Sequence, residues 1–220
     1  KRVLECKNRV SVSELIGTLF SYHQSRTTAM KRIILASASP RRKELLEKIG
    51  LEFEVEPSNY GEDIRSKLIP AELARAISLE KAKAVAGKHK NAIVIAADTF
   101  IVFGGKILGK PGTEVKARKM LMMLKGKSHS VITGFSILDT DKNKVLTKSV
   151  ETIVYIKNLT PEEVAAYVKS GEPLDKAGAY AIQGLGSVIV ERIEGDYFNA
   201  IGLPLSALAE GLKEFEIHIL

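Results

Sequence analysis

Three consecutive cations lie where a predicted α-helix begins. Ser39 and Pro40 suit its N-cap and first position, because a serine hydroxyl accepts a bond from a first-turn amide and proline needs no amide hydrogen there. Arg41, Arg42 and Lys43 then lie at the positive end of the helix dipole, where acidic residues are preferred. They are either solvated surface residues, at a cost below about 1 kcal/mol each, or neighbours of an anion bound over the first turn.

A bound polyphosphate would account for these cations. Free backbone amides at a helix N-terminus point at an anion, and the planar fork of arginine matches phosphate oxygens. The turn from the first predicted strand through Ser39, Pro40 and the arginines is then a phosphate cradle that contains no glycine. We treat this turn as the first part of a candidate phosphate site.

Asp98 is the candidate acid of this site. It follows the apolar run 93–97, which is typical of a strand buried on both faces. We therefore expect its carboxylate to emerge at the carboxyl end of that strand, where open α/β sheets bind ligands. A carboxylate there can hold a divalent metal or act as a general base. The alternative is that Asp98 caps the next turn.

Two glycine-rich stretches match nucleotide-binding loops only in part. Gly104 to Lys110 spells G-x-x-x-x-G-K, but Pro111 offers neither the hydroxyl nor the backbone donor that the phosphate loop needs next. Lys110 can still reach a phosphate from the predicted hairpin. The stretch 184–187 lacks the rest of a dinucleotide fingerprint, and Gln183 before it either pairs with backbone or reads a base edge.

Strands and helices alternate beyond residue 30, which predicts one α/β unit with a mixed sheet. The predicted strands are 33–36, 51–57, 91–99, 128–140, 144–156, 187–193 and 215–220, with a hairpin at 101–108. Two predicted helices cover 70–86 and 113–125. A third runs from a capping box at Thr160 to Gly171, and a fourth begins at Leu205.

Composition limits the classes of protein that this chain can belong to. With 220 residues, of which 45% are hydrophobic, it is long enough for a sizeable core. Its longest apolar runs are shorter than a membrane span. The single cysteine, Cys6, excludes an internal disulfide and fits a reducing compartment. The net charge of +7 does not by itself indicate nucleic acid, so we expect neither membrane nor nucleic-acid partners.

The first 29 residues differ from the rest of the chain. They show no clean periodicity, and their apolar run 15–20 is too short for a signal-peptide core. Met30 stands directly before the first predicted strand. We divide the chain into an N-terminal extension at 1–29 and a domain at 30–220, and expect a protein that starts at Met30 to fold and act like the long form. A short helix docked on the domain is the alternative.

Motifs from Met30 onward resemble those of the Maf family of nucleoside triphosphate pyrophosphatases. They are ILASASPRRKELL, SLEKAKAVA, IVIAADTFIVFGGKILGKP, GKSHSVITGFSI and DKAGAYAIQGLGSVIVERIEGDYFNAIGLP. The resemblance implies an elongated, two-lobed α/β fold with a mixed sheet, related to the inosine-triphosphate pyrophosphatases. It also implies hydrolysis of nucleoside triphosphates to the monophosphate and pyrophosphate with Mg²⁺ or Mn²⁺, by a cytoplasmic homodimer.

The resemblance assigns roles residue by residue. Asp98 matches the catalytic acid of the family, the proton acceptor. Arg42, Lys81 and Lys110 match its phosphate-binding cations, and Ser37 lies in the serine-rich turn that lines the same pocket.

An acidic residue of the family's metal site has a counterpart in this chain, but the sequence spacing around it follows the family motif less closely than at the other positions. Glu62 matches its acidic metal-site residue, and the neighbouring Asp63 competes for that role. We predict that Glu62 and Asp98 hold the metal.

Three positions in the family sort its members by base, and here they are Arg41, Thr99 and Gln183. This combination matches members that prefer dTTP and UTP, whereas the branch that acts on 7-methyl-GTP carries other residues. The amide of Gln183 can offer a donor and an acceptor to the O4/N3 edge that thymine and uracil share. We expect dTTP and UTP to lead, CTP to follow, and ATP and GTP to be poor.

The biological role implied is cleaning of the nucleotide pool, with a link to cell-division arrest. Two alternatives stay open: a nucleotide-binding regulator of septum formation with incidental hydrolysis, and a purine-directed pyrophosphatase of the inosine-triphosphate type. A carboxylate among phosphate-binding cations argues against pure binding, because a regulator has no use for one.

Overall fold

The computed structural model of the protein describes residues 31–61, 68–142 and 144–220. The expectations about the extension at 1–29, about Met30 and about Glu62 and Asp63 lie outside the described residues. Among the described helices none is long and apolar enough to cross a membrane.

Seven strands form one mixed sheet, which confirms the predicted fold class. In chain order they are β1 (Arg32–Leu35), β2 (Glu54–Val55), β3 (Ala92–Phe103), β4 (Lys106–Leu108), β5 (Ser128–Asp139), β6 (Val145–Ile156) and β7 (Val190–Glu194). Their order is β2-β1-β3-β5-β6-β7, with β4 paired to β3. The pairs β2–β1 and β1–β3 are parallel, and the others are antiparallel.

Six α-helices accompany the sheet among the described residues. They are α1 (Pro40–Lys48), α2 (Pro70–Ala86), α3 (Glu114–Leu124), α4 (Pro161–Lys169), α5 (Tyr197–Ile201) and α6 (Leu205–Lys213). Short 3₁₀ turns at Glu172–Asp175, Ala177–Ala179 and Gly184–Val188 precede β7. The predicted caps of α3 and α4 are present, since Thr113 accepts from the Lys116 amide and Thr160 forms a capping box with Glu163.

Alternate side chains of β3 pack on opposite faces of the sheet. On one face, Ile93 and Ile95 belong to a core cluster with residues of α1 and α6, while Ile101 belongs to a second cluster with residues of α3 and α4. Two core clusters therefore pack along one face of the sheet. On the other face, Val94 and Phe100 pack against residues of α2.

Three element predictions are wrong in extent. The predicted strand 51–57 is reduced to β2, and Val55 is exposed because β2 lies at the edge of the sheet. The strand predicted from residue 187 begins at Val190, because 184–188 form a 3₁₀ turn. The segment 215–220 is not a strand: Glu216 has a positive φ of 64°, and the chain folds back so that the Ile217 amide donates to Leu212.

Gly134 allows α2 to approach the sheet closely. It pairs with Asp98 across β3 and β5, and a Cβ built on Gly134 would lie 2.2 Å from the backbone carbonyl carbon of Ala74 in α2. Because α2 also carries Lys81, this contact helps to set the distance between Lys81 and Asp98.

We expect Gly134→Ala to lower the free energy of unfolding by about 1–3 kcal/mol, because the added methyl group must displace the backbone of α2. Urea unfolding followed by circular dichroism measures the change. Gly87→Ala is the matched control, since a Cβ at Gly87 would meet nothing closer than 3.6 Å. Equal stability of the two variants would show that α2 does not depend on this contact.

Candidate active site

A cleft of about 220 Å³ brings together five of the residues predicted from the sequence. Arg41, Arg42, Thr99, Lys110 and Gln183 all line it. The cleft lies on the face of β3 that carries the odd-numbered side chains, between the two core clusters, and is bounded further by residues 175–177, 180–182 and 200–202. Residues more than a hundred positions apart in the sequence thus form one site.

Helix α1 begins at this cleft, as the sequence predicted, but it is capped differently. Ser39 is the N-cap residue and Pro40 follows it, yet the Ser39 hydroxyl makes no capping bond. The first turn contains no acidic residue. Instead, Ser37 accepts a hydrogen bond from the Ser39 amide at 3.2 Å, so the turn before α1 is held by the buried Ser37 hydroxyl. The first turn is therefore positively charged, and none of its own residues carries a negative charge to balance it.

Arg42 uses its guanidinium group to join three parts of the fold. Its Nε donates to the Gly202 carbonyl at 2.9 Å, Nη1 to Ser37 Oγ at 3.1 Å and Nη2 to Thr99 Oγ1 at 3.1 Å. These bonds tie α1 to the end of β1, to β3 and to the turn after α5. Arg42 therefore has a structural function at the cleft in addition to the phosphate-binding role predicted for it.

Thr99 is hydrogen-bonded to a buried polar network, which was not predicted from the sequence. Thr99 Oγ1 lies 3.0 Å from Thr133 Oγ1, which donates to the Asn199 carbonyl at 3.3 Å. Asn199 is fully buried, and its Nδ2 donates to Thr152 Oγ1 at 2.9 Å. Asp196 caps α5, which carries Asn199, by accepting from the Phe198 and Asn199 amides. The motif GDYFNAIGLP was the available signal, and its role here is to fix the turn that holds Arg42.

Asp98 lies on the other face of the sheet from Thr99. Successive side chains of a strand point to opposite faces, and Asp98 faces α2, where Lys81 Nζ donates to its Oδ1 at 2.6 Å. Both groups are largely withdrawn from solvent, with side-chain exposures of 12% for Lys81 and 7% for Asp98. Breaking such a pair leaves a buried charge without its partner, which is costly.

The expectation that Asp98 ends a strand is wrong. Antiparallel pairing carries β3 on to Val102 with β5 and to Phe103 with β4, so Asp98 lies in the middle of a twelve-residue strand. The strand that does end nearby is the parallel neighbour β1, whose last pair with β3 is Leu35 with Ile95.

The sheet is interrupted on one edge of β3, beside Asp98. On the edge of β3 that faces β1 and β4, pairing stops at Ile95 and resumes at Ile101 with β4. Residues 96–100 of β3 have no strand partner on this edge among the described residues, and we call this interruption the β3 gap. Ser37 follows β1 and Lys110 follows β4, so they flank it.

Three polar side chains of the cleft are not used by the protein itself. Arg41, Lys110 and Gln183 make no side-chain hydrogen bond within the described part of the chain. The alternative that the Gln183 amide pairs with backbone is thus not observed there. These three groups can be directed at a ligand without loss of an internal bond.

The inner wall of the cleft is uncharged. Tyr180 lines it, and its hydroxyl lies 2.7 Å from Nε2 of the buried His129. Burial lowers the pKa of His129 to about 4 and raises the pKa of Tyr180 above its ordinary value. Both rings are therefore neutral at neutral pH, and Tyr180, Ile101 and Val131 form a cleft surface that suits a planar, weakly polar group.

The described residues contain no group of three or more His, Cys, Asp and Glu side chains placed to share a metal ion. Of the predicted metal ligands, Asp98 is described and Glu62 lies outside the described residues.

Comparisons with known proteins identify a family whose model matches most of the chain. Residues 32–215 match a family described as Maf-like protein. The chain is 48% identical over 191 residues to a dTTP/UTP pyrophosphatase of Methanosarcina mazei, covering 86% of this chain and 97% of that protein. It is 46% identical over 190 residues to a dTTP/UTP pyrophosphatase of Bacillus cereus, covering 86% and 93%. A solved HAM1 protein from Coxiella burnetii aligns over 84% of this chain and 100% of its own, with 16% identity and a TM-score of 0.48.

We expect Arg42→Lys to lower the free energy of unfolding by about 2 kcal/mol, because one ammonium group cannot replace three directed hydrogen bonds. The neighbouring Arg41→Lys is the control and should change it by less than about 0.5 kcal/mol, since Arg41 makes no such bonds within the described chain. Urea unfolding of both variants measures the difference. A stable Arg42→Lys protein would show that the guanidinium does not join these segments.

Proposed function

Because the chain belongs to the Maf family, we propose that it hydrolyses nucleoside triphosphates, dTTP and UTP before others, to the nucleoside monophosphate and pyrophosphate. Two relatives that share nearly half of its residues are named dTTP/UTP pyrophosphatases. The observation that supports the proposal is the β3 gap, because this unpaired stretch contains both Thr99 of the cationic cleft and Asp98 of the buried Lys81–Asp98 pair.

The triphosphate lies in the β3 gap in this proposal. The first-turn amides of α1 and the side chains of Arg41 and Lys110 supply donors and positive charge from the cleft. Lys81 supplies positive charge from the opposite face. Arg42 and Ser37 stand at the rim, where they hold the first turn of α1 in position and can turn donors toward the phosphates.

Asp98 is the proton acceptor of the proposed reaction. Water attacks the α-phosphorus, the new P–O bond forms as the bond to the bridging oxygen breaks, and pyrophosphate departs with the electron pair. The proton of the attacking water goes to the Asp98 carboxylate. Lys81 pairs with this carboxylate in the ligand-free protein. When phosphates arrive, it can donate to them and leave an Asp98 oxygen to accept the proton, while Lys81, Lys110 and Arg42 stabilise the growing negative charge.

A divalent cation fits the donors of this site. Mg²⁺ and Mn²⁺ prefer oxygen ligands, and Mg²⁺ is commonly bound through one or two carboxylates together with substrate phosphates. Asp98, a buried carboxylate beside the β3 gap, meets that requirement, and Glu62 is the proposed second ligand. When bound, the metal neutralises phosphate charge and polarises the phosphoryl oxygen.

The proposed base site is the inner part of the cleft. The uncharged wall formed with Tyr180 accommodates a ring, and Gln183 presents a donor and an acceptor to the edge shared by thymine and uracil. Thr99 is small, so it admits a pyrimidine without contacting its methyl group. The homodimer, the cytoplasmic location, the absence of membrane and nucleic-acid partners, the link to cell division and the boundary at Met30 stay predictions from the sequence.

We expect Asp98→Asn to reduce turnover by about a hundredfold or more, because asparagine cannot accept the proton from water. Initial rates of pyrophosphate release measure the loss, and calorimetric titration with dTTP shows whether binding survives. Asp141→Asn is the control, since Asp141 lies in the exposed turn after β5. Near-normal turnover in a folded Asp98→Asn protein would remove Asp98 from the mechanism.

The specificity is measured with a panel of triphosphates. In the unmodified protein, dTTP and UTP should have the highest kcat/KM, with CTP lower and ATP and GTP poor. Gln183→Glu should lower kcat/KM for dTTP by about tenfold to a hundredfold, because the carboxylate retains acceptors but loses the donor that the base requires.

Asn158→Asp is the matched control, since Asn158 is an exposed amide outside the cleft. A panel headed by ITP or 7-methyl-GTP would contradict the pyrimidine assignment. Tight nucleotide binding with no turnover would instead favour a binding regulator.

A further inference from the structure

A carboxylate behind the cleft holds the segment that carries Gln183. Glu172 begins the 3₁₀ turn at Glu172–Asp175 and does not line the cleft. Its Oε2 accepts from the Leu185 amide at 3.0 Å and its Oε1 accepts from the Gly186 amide at 2.9 Å. Two consecutive backbone amides thus converge on one side chain, as they do around a bound anion.

Tyr167 of α4 holds the other end of the segment, and we call Glu172 and Tyr167 together the anchor. Its hydroxyl donates to Glu172 Oε1 at 2.8 Å and accepts from the Ala181 amide at 3.2 Å. Glu172 and Tyr167 therefore hold the backbone at 181 and at 185–186, on both sides of Gln183. The Gln183 side chain makes no hydrogen bond with the described part of the protein. The position of its backbone therefore determines which points the side-chain amide can reach.

The glycines of this segment are explained by the anchor. Gly184 has a positive φ of 67°, and a Cβ on it would lie 2.6 Å from Glu172 Oε2. A Cβ on Gly186 would lie 2.0 Å from the Ala181 carbonyl oxygen and 2.8 Å from the Tyr167 hydroxyl. The GLGS stretch, which resembled part of a dinucleotide fingerprint, is thus the sequence that lets the backbone close around Glu172 and Tyr167.

The charges of the anchor match its geometry. Burial alone would raise the pKa of Glu172, but the hydrogen bonds from Tyr167, Gly186 and Leu185 lower it overall. Burial and the bond to Glu172 raise the pKa of Tyr167. At neutral pH an ionised acceptor therefore faces three donors, a charge-assisted arrangement that is stronger than bonds between neutral groups.

We propose that Glu172 is a positioning residue for base selection, and that its carboxylate fixes segment 181–186 so that Gln183 meets the base in one orientation. This inference rests on the proposed role of Gln183 in reading the base. A donor–acceptor pair discriminates between bases only if it is held in place, because a mobile amide can turn to satisfy either pattern. Glu172 does not line the cleft, so its proposed effect is on the selection of the base and not on the chemical step.

Glu172→Gln tests the proposal, because it keeps the shape of the side chain but turns an NH₂ donor toward a backbone donor. The ratio of kcat/KM for dTTP to that for CTP should fall about tenfold, mainly through a higher KM for dTTP, while kcat stays within about threefold. Hydrogen exchange of peptides that cover 181–186 should become faster. Glu191→Gln, which removes an exposed carboxylate on β7, should leave the ratio and the exchange unchanged.

Tyr167→Phe is a second, independent variant, which removes the bonds to Glu172 and the Ala181 amide without changing charge. It should shift the selectivity ratio and the exchange in the same direction by a smaller amount, and it carries the test if Glu172→Gln does not fold.

Gln183→Ala separates this inference from the proposed function. If Gln183→Ala abolishes the preference for dTTP while Glu172→Gln and Tyr167→Phe keep it, the positioning role is overturned and the base-reading role stands. If Gln183→Ala itself keeps the preference, both are overturned.

Discussion

The candidate site depends on how β3 changes neighbours along one edge. Its other edge is paired with β5 from Ile93 to Val102, and most of its residues are buried. On the first edge, the parallel partner β1 stops and the antiparallel partner β4 starts several residues later. Among the described residues, the backbone of the β3 gap is therefore paired with strands on one edge only. Thr99 of the cleft and Asp98 of the buried pair both belong to this stretch, with their side chains on opposite faces of the sheet.

The electrostatics of the site follow from this arrangement. On the α2 face, Lys81 pairs with the buried Asp98, and the small Gly134 lets α2 come close enough for that contact. On the cleft face, the cations of the first turn of α1 add to the positive end of its dipole. Arg42 is held by three acceptors of the fold, whereas Arg41 and Lys110 are directed at the cleft, where the proposed triphosphate balances their charge.

Local sequence patterns predicted most of the elements. The helix 70–86 begins at Pro70 and ends before Gly87, and its apolar residues Leu73, Ile77 and Val85 are buried as their spacing indicated. Caps and turn glycines act over a few residues, so they are readable without tertiary information. The failures lie where long-range pairing decides: Glu54–Val55 is a short edge strand, 215–220 folds back, and β3 continues past Asp98 because β5 pairs with it.

By itself, the sequence determined the mixed α/β class, the family resemblance and the residue types that phosphate and base chemistry need, because these depend on composition, periodicity and short motifs. Tertiary structure decided how those residues divide: Arg41, Lys110 and Gln183 line the cleft, while Lys81 and Asp98 meet on the opposite face. It also decided that Glu172 supports Gln183 from behind. These contacts join segments far apart in the chain, and only the packing of the sheet against its helices sets such distances.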